Sequence, residues 1–115
     1  MHSSAKRNLE RFFEIYFRSF NKPTILEIGS LCLGDQWNIK NLQDELGLNF
    51  KYIGLDISSG KNVDIILKDP YKFDSIDSSS VDIVISTSTF EHNEFFWLSY
   101  LEILRVLKPN GIFYL

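Results

Sequence analysis

Three carboxylates stand beside short apolar runs: Glu27 in Ile25-Leu26-Glu27-Ile28-Gly29-Ser30, Asp56 closing Tyr52-Ile53-Gly54-Leu55-Asp56, and Asp69 opening Asp69-Pro70-Tyr71. A fourth run, Val81-Asp82-Ile83-Val84-Ile85-Ser86, leads into polar residues up to His92. If these runs are strands of one open α/β sheet, the groups gather outside the strands' carboxyl ends, where such sheets bind ligands. A carboxylate ending the second strand accepts hydrogen bonds from ribose hydroxyls, and Gly29 lets backbone approach a ligand with no side chain between. Each acidic residue alone reads equally well as a strand-end or turn residue. Together they suit a ligand with a ribose, an amino-bearing base and a cation. A dinucleotide would also need a glycine-rich loop seating its pyrophosphate on a helix N-terminus. Here that loop carries Leu31, Cys32, Leu33 and the acidic Asp35, so a ligand without phosphates is favoured.

The elements that must position these residues alternate along the chain. Residues 5–20 carry Leu9, Phe12, Phe13, Tyr16, Phe17 and Phe20 at helical spacing, with charged residues largely on the other face. That aromatic face reads as a helix packed on the core, or as a lid or dimer contact. Asn21-Lys22-Pro23 breaks the helix. Residues 24–28 form a first strand, apolar nearly throughout, as expected when helices cover both sheet faces. A helix over 36–46 turns Trp37, Leu42 and Leu46 inward and stops at Gly47. Strands follow at 50–57, 63–67 and 81–86, then a helix over 94–107 with Phe95, Leu98, Leu101, Leu104 and Leu107 at helical spacing. Lys108-Pro109-Asn110-Gly111 ends it before a fifth strand at 112–115. Only five residues separate Ile57 from Val63, whereas a parallel crossover usually takes a dozen or more and a helix. An extended, helix-free crossover is the expected solution.

Four of these stretches resemble class I S-adenosylmethionine-dependent methyltransferases in order and spacing: Ile-Leu-Glu-Ile-Gly-Ser, Tyr-Ile-Gly-Leu-Asp-Ile, Val-Asp-Ile-Val-Ile-Ser and Leu-Arg-Val-Leu-Lys-Pro-Asn-Gly-Ile-Phe-Tyr-Leu. The sequence looks most like the methyltransferase type 11 branch that shares Asp-Pro-Tyr and Phe-Glu-His-x-Glu-Phe-Phe-Trp. The likeness covers roughly residues 24–115. It implies a three-layer Rossmann-like sandwich whose mostly parallel sheet of five strands runs 3-2-1-4-5, without the usual C-terminal antiparallel strand pair. It also implies S-adenosylmethionine as cofactor. Glu27, Gly29 and Ser30 would then lie on its methionine side, Asp56 on the ribose and Ile57 against the adenine. Asp69 would accept from the adenine amino group, with Pro70 and Tyr71 beside it, and Ser86 and Thr87 would lie under the sulfonium. Two departures stand out: the first loop lacks its second glycine, and no helix follows Asp56 to cover the adenine side.

Methyl transfer from a sulfonium is an in-line displacement whose thioether leaving group needs no acid. Holding nucleophile and methyl about 3 Å apart and aligned supplies much of the acceleration. Glu91 and His92 are the candidate bases where an acceptor must lose a proton. Equally, Glu91, His92, Asn93 and Glu94 read as a helix-start cluster with Asn93 as cap. Asp69-Pro70-Tyr71 differs from the Asp/Asn-Pro-Pro-Tyr/Phe turn of DNA amino-methyltransferases in position, in its single proline and in its acidic context. Cys32, without a base partner, reads as a small loop filler.

Bulk properties narrow the partners. The 115 residues, 44% hydrophobic and 23% charged, suit one globular domain: an amphipathic helix over 1–22 and a cofactor-binding core over 23–115. A net charge of -3 offers no basic footprint for nucleic acid. No apolar run has membrane-spanning length. One cysteine suits a reducing cytoplasm and offers no metal-ligand set. The expected partner is a small-molecule methyl acceptor, and the expected assembly a homodimer through the fifth-strand edge or the N-terminal helix. An apolar edge at 112–115 is open to pairing, which suggests a fragment of a longer enzyme or a reduced relative pairing through that edge. A donor-binding domain without catalysis is the alternative to an enzyme.

Overall fold

The computed structural model describes residues 3–87 and 96–115. Helix α1 (Ser3–Tyr16) runs into a single 3-10 turn, Phe17–Ser19, ahead of strand β1 (Thr24–Ile28). The short helix α2 (Asn41–Glu45) precedes β2 (Lys51–Asp56), β3 (Ile65–Ile66) and β4 (Val81–Ile85). Helix α3 (Phe96–Val106) and β5 (Leu107–Tyr114) close the chain. All strand pairs are parallel and the order is β3-β2-β1-β4-β5. This is the α/β sheet that the alternation of elements implied, in the Rossmann-like order that the resemblance implied.

Alternate residues of each strand feed two cores. On one face Ile25, Ile83 and Ile85 pack against Leu9, Phe12 and Phe13 of α1 and against Ile39 and Leu42. On the other, Leu26, Ile28, Leu55 and Val84 meet Ile103 and Val106 of α3 and Phe73 and Ile76 of the loop before β4. Most of the aromatic face of α1 is therefore spent inside the chain, with the Phe12 ring 4.8 Å from that of Tyr114 of β5 and tilted 51° to it, while Tyr16 stays exposed.

The helix-free crossover is present, and its physics is explicit. β2 and β3 pair in parallel, Leu55 with Ile65 and Asp56 with Ile66, with no helix between them. The connecting segment lies directly on β2 at Gly54, where a Cβ would overlap the Asn62 carbonyl oxygen and come within 2.8 Å of Ser30 Oγ. Asp64 locks the approach: its N–H donates to Gly54 O (2.9 Å) and its carboxylate accepts from Gly54 N–H (2.7 Å). Asn62 takes a left-handed φ of 74° to make the turn. β3 shrinks to two residues because Asp64 is already committed to Gly54.

Other expectations shift for local reasons. The helix expected over 36–46 forms only at Asn41–Glu45. Asn41 Oδ1 accepts from Asn38 N–H, and Asn38 Oδ1 from Lys40 N–H, so side chains take backbone donors that would begin a longer helix. β5 begins at Leu107 rather than 112: Val81 pairs with Leu107 and Ile83 with Ile112, so residues 108–111 bulge out of register instead of ending a helix. The inward face of α3 is also displaced. Ser99, Ile103 and Val106 are buried, whereas Leu98, Leu101 and Leu104 are exposed. Both stripes are apolar, and polar contacts choose between them. Ser99 Oγ donates to Pro70 O, Glu102 accepts from Phe73 N–H, and Arg105 donates to Phe73 O and Ser78 Oγ.

Candidate functional site

β1 projects Ile25 and Glu27 on the α1 face, and β2 projects Tyr52, Gly54 and Asp56 on that same face. The register sets Glu27 beside Gly54, with Tyr52 one step back opposite Ile25. Gly54 has no side chain, so Tyr52 can reach Glu27 diagonally and its Oη donates to Glu27 Oε1. Asn62, carried over β2 by the crossover, donates from Nδ2 to Tyr52 Oη (2.7 Å) and to Ser30 O (3.1 Å). Lys40 Nζ sits 5.1 Å above the Tyr52 ring.

Glu27 is only 6% exposed. Burial pushes its carboxyl up to about 7; the nearby Asp56 adds to this, while the Tyr52 hydrogen bond and Lys40 oppose it. Burial and the Glu27 charge push the Tyr52 hydroxyl far above its ordinary range, so it remains a neutral donor.

After Ile28 the chain turns at Gly29, φ 76°, and the N–H groups of Gly29 and Ser30 both donate to Leu55 O (2.8 and 3.1 Å). The turn thus folds across the end of β2. Asp56 then serves both loops: Oδ2 accepts from Leu31 N–H (2.9 Å) and Oδ1 from Ser58 N–H (3.1 Å). Each carboxylate oxygen keeps a lone pair for a further donor. Cys32 N–H to Lys61 O and Lys61 Nζ to Gly34 O, both 3.1 Å, complete the seam between the loops. The buried Cys32 thiol donates to Gln36 O, the behaviour of a loop filler.

Glu27, Gly29, Ser30 and Thr87 line one cavity of about 140 Å³, together with Cys32 and Asn62. Asp56 and Ile57 flank it at the next strand end, and Ile57 is 63% exposed. Asp69 faces a separate hollow of about 170 Å³ that it shares with Lys68, Lys72 and Asp74, and its Oδ1 accepts from Tyr71 N–H. Pro70 is exposed, with its carbonyl held by Ser99. Ser86 is fully buried, and its N–H donates to Tyr114 O. Glu91 and His92 lie outside the described residues. Among the described residues, no group of three or more His, Cys, Asp or Glu side chains could hold a metal, and no helix is long and apolar enough to cross a membrane.

Sequence reasoning missed Tyr52 and Asn62. Tyr52 was within reach, since it shares the period-two face of Gly54 and Asp56. Asn62 carried no signal, because its place depends on the path of the crossover.

The methyltransferase-domain family model matches residues 26–115, from within β1 through β5. The chain belongs to that family. The methyltransferase domain also resembles solved structures from archaea. A Methanococcus maripaludis protein assigned as an S-adenosyl-L-methionine-dependent methyltransferase shares 19% identity at a TM-score of 0.64, over 96% of this chain and 53% of its own. A candidate methyltransferase solved with the Haloferax volcanii Trm112 methyltransferase activator shares 20% at 0.59, over 96% and 54%. An Archaeoglobus fulgidus SAM-dependent methyltransferase shares 19% at 0.63, over 92% and 50%. The chain thus spans about half the length of these relatives. No curated protein matches it. Family membership implies S-adenosylmethionine as cofactor.

Proposed function

We propose that this methyltransferase domain binds S-adenosylmethionine at the β1 and β2 ends and transfers its methyl group in line to a small-molecule acceptor. The carrying observation is Glu27, a buried carboxylate facing a cavity under a glycine turn. Such a group fits the cofactor's ammonium, and the buried Ser30 Oγ, which has no hydrogen-bond partner among the described residues, fits a polar neighbour beside it. The cavity is too small for the whole molecule. The amino-acid end would occupy it, with the ribose at Asp56 and the adenine along the exposed Ile57. Asp69 and Pro70, facing the other hollow, are the weaker part of the expected adenine wall. When bound, the cofactor supplies a methyl group activated on a sulfonium. The protein's share is orientation: the sewn loops hold Glu27, Gly29 and Asp56 in fixed relation before anything binds. Glu91 and His92 remain the proposed bases for an acceptor that must lose a proton. A homodimer through the β5 edge or the N-terminal helix, where Ile15 and Tyr16 are exposed, is the proposed assembly.

Calorimetry with S-adenosylmethionine, S-adenosylhomocysteine and NAD tests this reading on the chain and on Asp56→Ala. Both sulfur ligands should bind, NAD should not, and loss of the Asp56 hydrogen bonds should weaken affinity about tenfold or more. Tight NAD binding, or affinity indifferent to Asp56, overturns it. Binding without turnover of any acceptor would make the chain a donor-binding module.

A further inference from the structure

Three side chains from three segments form a directed line of hydrogen bonds: Asn62 Nδ2 to Tyr52 Oη, and Tyr52 Oη to Glu27 Oε1. Its direction follows from chemistry. Ser30 O can only accept, so the Asn62 atom bonded to it is the amide nitrogen, and that same nitrogen donates to Tyr52. Tyr52 has one proton, which must therefore point at Glu27. Glu27 Oε1 is thus held as an acceptor, and Oε2 has no hydrogen-bond partner among the described residues. With Oε1 taken by the Tyr52 proton, a proton gained by Glu27 falls on Oε2, which then carries no charge and pairs poorly with an ammonium group.

We propose that Tyr52 and Asn62 are positioning residues for the methyl donor: they pin one oxygen of Glu27 and reserve the other for the donor's ammonium, so that donor affinity follows the ionisation of Glu27. This rests on the donor site proposed above. The groups facing this pair are Asp56 from β2, Lys40 ahead of α2, and Asp64 from the crossover, which faces Tyr52. Asp56 opposes ionisation of Glu27, while Lys40 and the Tyr52 hydroxyl favour it. The helix-free crossover thereby gains a function. It lays Asn62 against Tyr52, so the loop following Asp56 and the carboxylate of β1 form one hydrogen-bonded unit.

Two measurements on the intact chain test this. Carboxyl-carbon NMR of the free protein should place the Glu27 midpoint near 7. It should move upward by about half a unit or more in Tyr52→Phe, which loses the bond favouring the ionised form, and in the same direction in Asn62→Ala. Calorimetry from pH 5.5 to 8.5 should show S-adenosylmethionine binding tighten with pH, approaching about tenfold per unit below the midpoint and levelling above it. In Tyr52→Phe that rise should shift upward. 5′-Methylthioadenosine, which lacks the amino-acid end, should bind with affinity constant to about twofold across pH and variants. If S-adenosylmethionine binds but its pH profile and the Glu27 midpoint ignore both variants, the positioning role is overturned while the donor site stands. If neither ligand binds wild-type protein at any pH, the donor site falls, and with it the role assigned to the relay. Circular dichroism confirms that each variant is folded, and the two variants remove different links of the line.

Discussion

The crossovers that flank the centre of the sheet solve the same problem in opposite ways. From β4 to β5 the chain builds an eleven-residue helix, α3, and seats it through Ile103 and Val106, both fully buried. From β2 to β3 it builds no helix, and seats a short segment through polar bonds to Gly54 and the β1 loop. The first is stabilised by removing apolar area from water, which tolerates small displacements. The second depends on matched donors and acceptors over a strand whose side chain has been deleted. What the helix-free crossover lacks in apolar contact it supplies in chemistry, because it brings Asn62 to Tyr52 and Glu27.

The sharpest way to break the contrast is Gly54→Ala. A Cβ there overlaps backbone and cannot be accommodated by turning a side chain, so the loss should reach about 4 kcal/mol in urea unfolding. A loss below about 1 kcal/mol would show that the crossover sits loosely. On the helical side, Ile103→Ala should cost about 3 kcal/mol by cavity formation, whereas Leu101→Ala, 60% exposed, should stay within about 0.5 kcal/mol. Equal effects would return α3 to the orientation its leucine spacing suggests. The mildest test lies beneath the polar crossover. Glu27 has its midpoint raised in the folded chain, so it binds more protons folded than unfolded between about pH 4.5 and 7, and stability falls as pH rises through that window. Glu27→Gln removes this dependence. It should match wild type near pH 4.5 and exceed it by about 2 kcal/mol at pH 8, read from urea midpoints at both pH values. An unchanged pH dependence would mean that Glu27 is better solvated than its burial indicates.

The placement of much of the candidate site is legible in the sequence, for a simple reason. Glu27, Gly29 and Asp56 are placed by strand ends, and strand ends follow from short apolar runs and turn residues. One cavity is lined by Glu27, Gly29, Ser30 and Thr87, with Asp56 and Ile57 at its flank, which fixes where these residues lie. Asp69 was harder to place, because the path after β3 is set by Ser99 and Arg105 reaching across from α3. The facing of α3 was illegible in principle: leucines at three-residue spacing describe a second apolar stripe as well as the buried one. Similarly, Asn38 and Asn41 shortened α2 through bonds that propensity alone does not weigh.

The sequence alone determined the order of elements, the parallel sheet, the family and the carboxylates at the strand ends, because these depend on local periodicity and on motifs read in succession. Only the tertiary structure decided how the β2 to β3 segment crosses, which face of α3 is buried, and that Asn62, Tyr52 and Glu27 fall in one line of hydrogen bonds. Those outcomes depend on which backbone can come close to which. Gly54 permits an approach that residues far apart in the chain then exploit, and no local pattern records who arrives.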